Sequence, residues 1–312
     1  MKECKYVYCR TSYDDHQVLC PLCGFPDDAT RLKDPAFLND AADQVTGLPP
    51  AILDMHQILP AMDRVVEQQV LAMQKFGIKK ALLQSVPVQA KSLYGNDKIL
   101  ELAQGQRDRF WASQFIDPRQ TDALESLRQF DDSGVKVVKL IPPAGYFPDD
   151  PKFARFWETM NELGLVAMVH TGFITARHKD EEARAGMFLN SRYADPIRLD
   201  LLARQYPGVT FILCHMGGGI WYEGAAQMVT QHENVWGDTS GSGLFALKRL
   251  LALNVEVDWK KIFWGNDSPP FAYPFNFRLH LAALQDSEHA SSLISRMFHE
   301  NGRRFSELCL GA

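Results

Sequence analysis

The chain has 312 residues, 46% of them hydrophobic, enough to bury the core of one large α/β domain or two smaller ones. A formal net charge of -5 and a pI near 6.0 leave no electrostatic footprint for a polyanion, and no run of Lys and Arg stands out, which excludes nucleic acid as an expected partner. The N-terminus is polar and Cys-bearing, unlike a secretory signal, and no apolar stretch reaches the roughly 20 residues of a membrane helix, so a soluble, cytoplasmic protein is expected.

Cys4, Cys9, Cys20 and Cys23 fall in the first 23 residues as C-x4-C-x10-C-x2-C. Without an export signal, a thiolate-bound metal is the better reading than disulfides, and four sulfurs close a tetrahedral structural zinc site. The C-x4-C half is looser than the usual C-x2-C. His16 is an alternative ligand, and a redox-active or unliganded pair is the competing reading. Residues 24–50 are polar and broken by Pro and Gly, so residues 1–49 read as a Cys-rich head and linker with little core of its own. The main domain, 50–312, is expected to begin near Pro50.

From there, strand-like and helix-like stretches alternate. AILDMH (51–56) precedes an amphipathic run at 63–77, KKALLQSV (79–86) one at 96–106, and FWASQFIDP (110–118) one at 120–134. VKVVKLIPP (135–143), LVAMVHTG (165–172), VTFILCHMGG (209–218), NVWGDTSG (234–241) and KIFWGNDSPP (261–270) continue the pattern, each followed by a helical stretch. Eight β-then-α units in roughly 250 residues predict a (β/α)8 TIM barrel. An open doubly wound sheet is the competitor, but no G-x-G-x-x-G follows the first strand.

In such a barrel the C-terminal strand ends converge on one face. His56 lies at the end of the first strand, Lys139 at the fourth, His170 at the fifth, His215 at the sixth, Asp238 at the seventh and Asp267 at the eighth. Three imidazoles and two carboxylates around one mouth suit a divalent metal with a base beside it.

The segments GVKVVKLIPPAGYFPDDPKF, GLVAMVHTG, DPIRLDLLARQYPGVTFILCHMGGG, NVWGDTSG, FWGNDSPP and NGRRFSEL together resemble the successive signatures of the amidohydrolase superfamily. The resemblance is to the branch holding metal-dependent hydrolases and the aminocarboxymuconate-semialdehyde-type and resorcylate-type decarboxylases. It spans about residues 50–309 and leaves out the head.

The resemblance implies that His170 is a metal ligand and that Asp267 is a ligand or proton-transfer carboxylate. It makes His215 a second-metal ligand in binuclear members and an acid or base in mononuclear ones. The family's first strand carries D-x-H-x-H; here Ile58 stands where the second histidine would be. Strand alternation predicts that Asp54, His56 and Ile58 share the inward face, leaving His56, His170 and Asp267 to hold one ion, zinc or manganese. Asp54 is then a structural aspartate beneath the metal. Lys139 is expected to face substrate or pair with a carboxylate rather than bridge metals, and Cys214 to point out of the barrel. Tyr146, Phe147, Trp221 and Tyr222 follow strand ends, as pocket lining or as simple packing.

The long segment after the fifth strand carries Arg177, His178, Arg184 and Arg192. Guanidinium groups there favour a carboxylate-bearing substrate, with Arg177 and Arg192 the proposed contacts, or else they are solvated loop charges. The expected activity is metal-dependent hydrolysis of a small carboxylate-bearing substrate, with His215 and Asp267 catalytic. Non-oxidative decarboxylation is the first alternative, and a degenerate barrel acting as a binding module the second. A homo-oligomer, a dimer, is the expected assembly, with a small-molecule substrate as the other partner.

Overall fold

The computed structural model describes residues 1–87, 93–174, 189–285 and 287–311. Two short strands, β1 (Lys2–Glu3) and β2 (Ser12–Tyr13), pair antiparallel in the head. Eight parallel strands follow: β3 (Ile52–Gln57), β4 (Ile78–Leu83), β5 (Phe110–Phe115), β6 (Val137–Leu140), β7 (Val166–His170), β8 (Thr210–Cys214), β9 (Val235–Asp238) and β10 (Ile262–Phe263). They neighbour one another in sequence order from β3 to β10. The Met55 N–H donates to the Trp264 carbonyl (3.2 Å), bringing the first strand against the chain just after the last. This is the (β/α)8 barrel expected from the alternation of stretches. Strands such as VVKL and TFILC are buried nearly throughout, as a parallel sheet covered on both faces requires.

Two apolar layers hold the barrel. The larger fills the space between strands and surrounding helices. The smaller includes Leu53, Met55, Met168, Ile212, Trp236 and Phe263 from the strands, together with Phe305 from the C-terminal helical segment 290–310. Phe305 stands edge-on to Trp236 (5.3 Å) and Phe263 (5.4 Å). Asn301 anchors the same segment by donating to the carbonyls of Trp259 (2.8 Å) and Ile262 (2.6 Å). A Cβ on Gly302 would meet Met55 Sδ at 3.1 Å and Leu53 Cβ at 3.2 Å, so a larger residue would push the segment off the strand. The NGRRFSEL stretch is thus the barrel's floor, opposite the strand ends that carry the polar residues.

The linker departs from the expectation of little core. Residues Pro35–Asp43 form a helix, begun by Asp34, whose side chain accepts from the Ala36 N–H, and by Pro35 in the first turn. Phe37, Ala41 and Ala42 are buried. The polar composition concealed a single apolar face.

The head itself docks through aromatic rings. Tyr6 stacks on Phe25 (5.0 Å, 20°), and Phe25 meets Phe275 of the helix Tyr273–Gln285 edge-on (5.1 Å). The Tyr6 hydroxyl donates to Asn276 Oδ1 (2.5 Å), and the Arg278 guanidinium donates to the Pro21 carbonyl (2.9 Å). No helix among the described residues is long and apolar enough to cross a membrane.

Candidate metal centre at the barrel mouth

Six polar residues at the strand ends were expected to converge: His56, His215, Asp238 and Asp267 lie closest together, Lys139 stands against His56, and His170 packs on His215. His56 Nδ1 lies 3.0 Å from Asp238 Oδ2, and His56 Nε2 lies 3.5 Å from Asp267 Oδ1. His215 Nδ1 faces the Ser240 carbonyl (2.9 Å) and lies 3.8 Å from Asp267 Oδ2. The imidazoles of His56 and His215 are 5.1 Å apart between ring centres. One donor atom each from His56, His215 and Asp267 lie within 4.8 Å of one another, close enough to share an ion. A ligand histidine whose other nitrogen is fixed by a carboxylate is the arrangement His56 and Asp238 present.

The backbone explains how these side chains reach one place. His215 (φ 64°), Met216 (φ 46°) and Asp267 (φ 42°) all adopt the left-handed region, uncommon for residues with a Cβ. Strand β8 ends at Cys214, and the left-handed turn then re-aims His215 into the mouth. Cys214 therefore also faces inward, contrary to the expectation that it would point out: the Lys139 ammonium donates to its Sγ (3.0 Å). Alternation fails here because one of the two residues is no longer in the strand.

A similar correction applies to β3. Leu53 and Met55 belong to the inner apolar layer, while the Asp54 carboxylate is buried under the helix Tyr273–Gln285 and accepts from the Tyr273 hydroxyl (2.7 Å). It also accepts from the backbone N–H groups of His56 (3.0 Å) and Asn266 (3.1 Å). A register shift between Asp54 and Gln57 breaks the simple alternation, so His56 reaches the mouth without Asp54 sharing its face. Ile58 follows the strand and is half-buried.

Electrostatics separate the three imidazoles. Burial and the Lys139 charge oppose a proton on His56, but Asp238 and Asp267 outweigh them and lift it to about 10. Burial dominates at His170 and pushes it well below the usual imidazole range, with His215 and Lys139 adding to the effect. His215 is lowered, again chiefly by burial, against the pull of Asp267 and Asp238. Burial would raise Asp238, yet the neighbouring His56 holds it well below the ordinary carboxylate range.

His170 packs its ring edge-on to His215 (4.8 Å), and its buried Nε2 has no hydrogen-bond partner among the described residues. An unpaired buried nitrogen is costly unless something binds it. That orphan, on a ring packed against His215, suits a ligand role, although the donors that lie within 4.8 Å of one another are those of His56, His215 and Asp267 rather than the expected His56, His170 and Asp267. An ion on His56 Nε2 would take the lone pair that faces the Lys139 ammonium 3.4 Å away, leaving that ammonium Cys214 Sγ as its acceptor.

Arg192 is exposed and lies over the rings of Phe147 (5.5 Å) and Tyr193 (4.8 Å), with no described contact to the histidines. Arg177, His178 and Arg184 lie outside the described residues. Phe147 also lies under Arg198 (4.3 Å), Tyr146 packs edge-on to Phe153, and Tyr222 lies under Arg249.

Sequence reasoning missed Ser240 and Gly241. Ser240 Oγ donates to Asp238 Oδ1 (2.5 Å) and lies 3.0 Å from Nδ1 of both His56 and His215. Gly241 (φ 53°) leaves room: a Cβ there would stand 2.7 Å from Asp267 Oδ2 and 3.3 Å from His215 Nδ1. The signal lay in DTSG, where a strand-end aspartate leads into small residues and then glycine.

In the head, the sulfurs of Cys4, Cys9, Cys20 and Cys23 are buried and all within 4.8 Å of one another. Cys4 and Cys23 Sγ are 3.6 Å apart, as are those of Cys9 and Cys20. Tetrahedral zinc with Zn–S bonds of about 2.3 Å would separate its sulfurs by roughly 3.8 Å. The Phe25 N–H donates to Cys23 Sγ (3.4 Å), a hydrogen bond that favours a thiolate.

A family model described as Amidohydrolase matches residues 80–306, which leaves out β3 with His56 as well as the head. No curated protein matches the chain in sequence. Among solved structures, an uncharacterized TIM-barrel protein from Bordetella bronchiseptica is similar at 15% identity and TM-score 0.64, over 84% of this chain and 100% of that one. A probable 2-pyrone-4,6-dicarboxylic acid hydrolase from Acinetobacter baumannii, with citric acid bound, is similar at 14% identity and TM-score 0.56, over 84% and 99%. A 5-carboxyvanillate decarboxylase from Novosphingobium aromaticivorans, complexed with manganese, is similar at 16% identity and TM-score 0.55, over 80% of each chain.

Proposed function

The chain belongs to the amidohydrolase family, and from that premise we propose that it is a metal-dependent hydrolase acting on a small carboxylate-bearing substrate at the barrel mouth. The observation that carries the reading is the convergence of His56, His215 and Asp267, with the orphan Nε2 of His170 beside them. His56 and Asp267, with His170 or His215 as the third donor, would hold a divalent ion, zinc or manganese. When bound, the ion supplies Lewis acidity and eases deprotonation of a water.

Asp238 fixes the His56 ring through Nδ1 and keeps its Nε2 turned to the mouth. Asp267, close to both imidazoles, is placed to accept the proton of the attacking water. With the ion on His56, Asp267 and His170, His215, kept neutral by burial, is free to receive that proton from Asp267, whose Oδ2 lies 3.8 Å from its Nδ1, and to pass it to the leaving group. Lys139 brings a positive charge to the same mouth, where it can pair with a substrate carboxylate.

Decarboxylation is the second reading, favoured by the Lys139 ammonium beside His56, which would grip a departing carboxylate while His215 or Asp267 protonates carbon. The family fold serves both chemistries in the neighbours named above. In the head, the four cysteines would hold a structural zinc.

A panel of lactones, amides and hydroxybenzoates, followed for acid release against carbon dioxide release, separates the readings. With Asp267→Asn we expect acid release to fall by about 10²–10⁴-fold. Loss of carbon dioxide release instead would establish the lyase, and turnover indifferent to the change would put the active site elsewhere.

A further inference from the structure

Between Cys4 and Cys9 the chain carries two tyrosines that face different neighbours. Tyr6 is buried, and its hydroxyl is spent on Asn276. Tyr8 is half-buried, edge-on to Tyr6 (5.7 Å, 89°) and tilted against Phe245 (6.4 Å). Its hydroxyl lies 3.4 Å from the point where a Cβ on Gly241 would stand. Asp267 Oδ2 and His215 Nδ1 surround that same point at 2.7 and 3.3 Å, so the head delivers a phenol to the barrel's polar cluster. The Tyr8 hydroxyl makes no hydrogen bond to any described residue.

The ring contacts of Tyr8 would be met equally by phenylalanine, so packing does not account for the hydroxyl. Tyrosine hydroxyls near buried surfaces usually find a partner, and this one borders the same open point beside Gly241 as the Asp267 carboxylate and the His215 imidazole. We propose that Tyr8 is a substrate-binding residue of the barrel site, its hydroxyl donating to an oxygen of the bound substrate above Asp267 and His215. The inference rests on reading the mouth as a metal-dependent active site. It also gives the cysteine cluster a task. Cys4 and Cys9 bracket the loop that carries Tyr8, so the head metal sets where the hydroxyl stands.

Acetohydroxamic acid, a two-oxygen chelator, serves as the probe, titrated calorimetrically into full-length protein with zinc in the head and Mn²⁺ in the barrel. Thiolates prefer zinc, while imidazole and carboxylate accept manganese, which keeps the sites distinguishable. Loss of one neutral hydrogen bond in Tyr8→Phe is expected to weaken the probe by about three- to tenfold. Mn²⁺ affinity, read by electron paramagnetic resonance, should not change. The double variant Cys20→Ser/Cys23→Ser should weaken the probe at least as much.

Equal probe affinity in wild type and Tyr8→Phe, with Mn²⁺ bound to both, would overturn the role of Tyr8 and leave the metal reading standing. So would a Mn²⁺-loaded wild type that does not bind the probe. Full affinity in the cysteine variant would overturn the link to the head metal. A wild-type barrel that takes up no Mn²⁺ would instead remove the metal reading, and this inference with it.

Discussion

At the scale of single residues, the mouth is organised by left-handed backbone and by shared hydrogen bonds. Asp267 and His215 reach the cluster through positive φ, a conformation that persists where surrounding contacts hold it. Gly241 permits their approach. Gly241→Ala would place a methyl 2.7 Å from Asp267 Oδ2 on a backbone at φ 53°, and is expected to cost about 1–3 kcal/mol of stability. Thermal unfolding would read that cost, and turnover should fall further than stability alone accounts for.

His56 gives a pH dependence with a definite sign. Its raised value, about 10, means that the metal-free ring carries a proton at neutral pH, whereas a ligand imidazole must be neutral. Metal uptake then releases that proton. Apparent barrel affinity should rise by about tenfold per pH unit from neutrality toward pH 10. Titration in buffers of differing ionisation enthalpy measures the released proton directly, and a pH-independent affinity would exclude His56 as a ligand.

At the scale of elements, the Cys-rich head and the strand-end loops act on each other through Tyr6, Asn276 and Asn266. Asn276 Nδ2 lies 2.8 Å from Asn266 Oδ1 and 3.0 Å from the Asn266 carbonyl, so the head's buried tyrosine is tied to the residue preceding Asp267. Cys20→Ser/Cys23→Ser should lower zinc content by one ion per chain in native mass spectrometry. Unchanged content would remove the four-thiolate site. The helix Pro35–Asp43 shows why the linker was misjudged. Its three buried residues are too few to give nine residues an apolar stretch, and only their common face against the barrel makes them core.

At the scale of the whole molecule, the barrel is closed below by its own C-terminus and furnished above by its strand ends. Phe305 fills the floor against Trp236 and Phe263. Phe305→Ala should cost about 3–5 kcal/mol, because the strands cannot collapse into the space it leaves. Denaturant unfolding would show the loss, with an unchanged midpoint refuting the plug. The division follows the general plan of this fold, in which one end of the barrel carries stability and the other chemistry.

The barrel was legible in the sequence because its signal is repeated. Eight apolar β-prone runs ending in polar residues and each followed by an amphipathic stretch admit few architectures, and the observed strands fall on those runs. The residue types at the strand ends were legible for the same reason: chain order and period place His56, Lys139, His170, His215, Asp238 and Asp267 on one rim. The sequence could not decide which of them meet. Alternation assumes regular strands, and the register shift in β3 and the left-handed turn after Cys214 both break it, which misplaced Asp54 and Cys214. Nor could the sequence bring Tyr8 to Asp267 and His215, residues more than 200 positions away. That meeting depends on the docking of the head, a packing event between surfaces whose complementarity has no periodic trace in the chain.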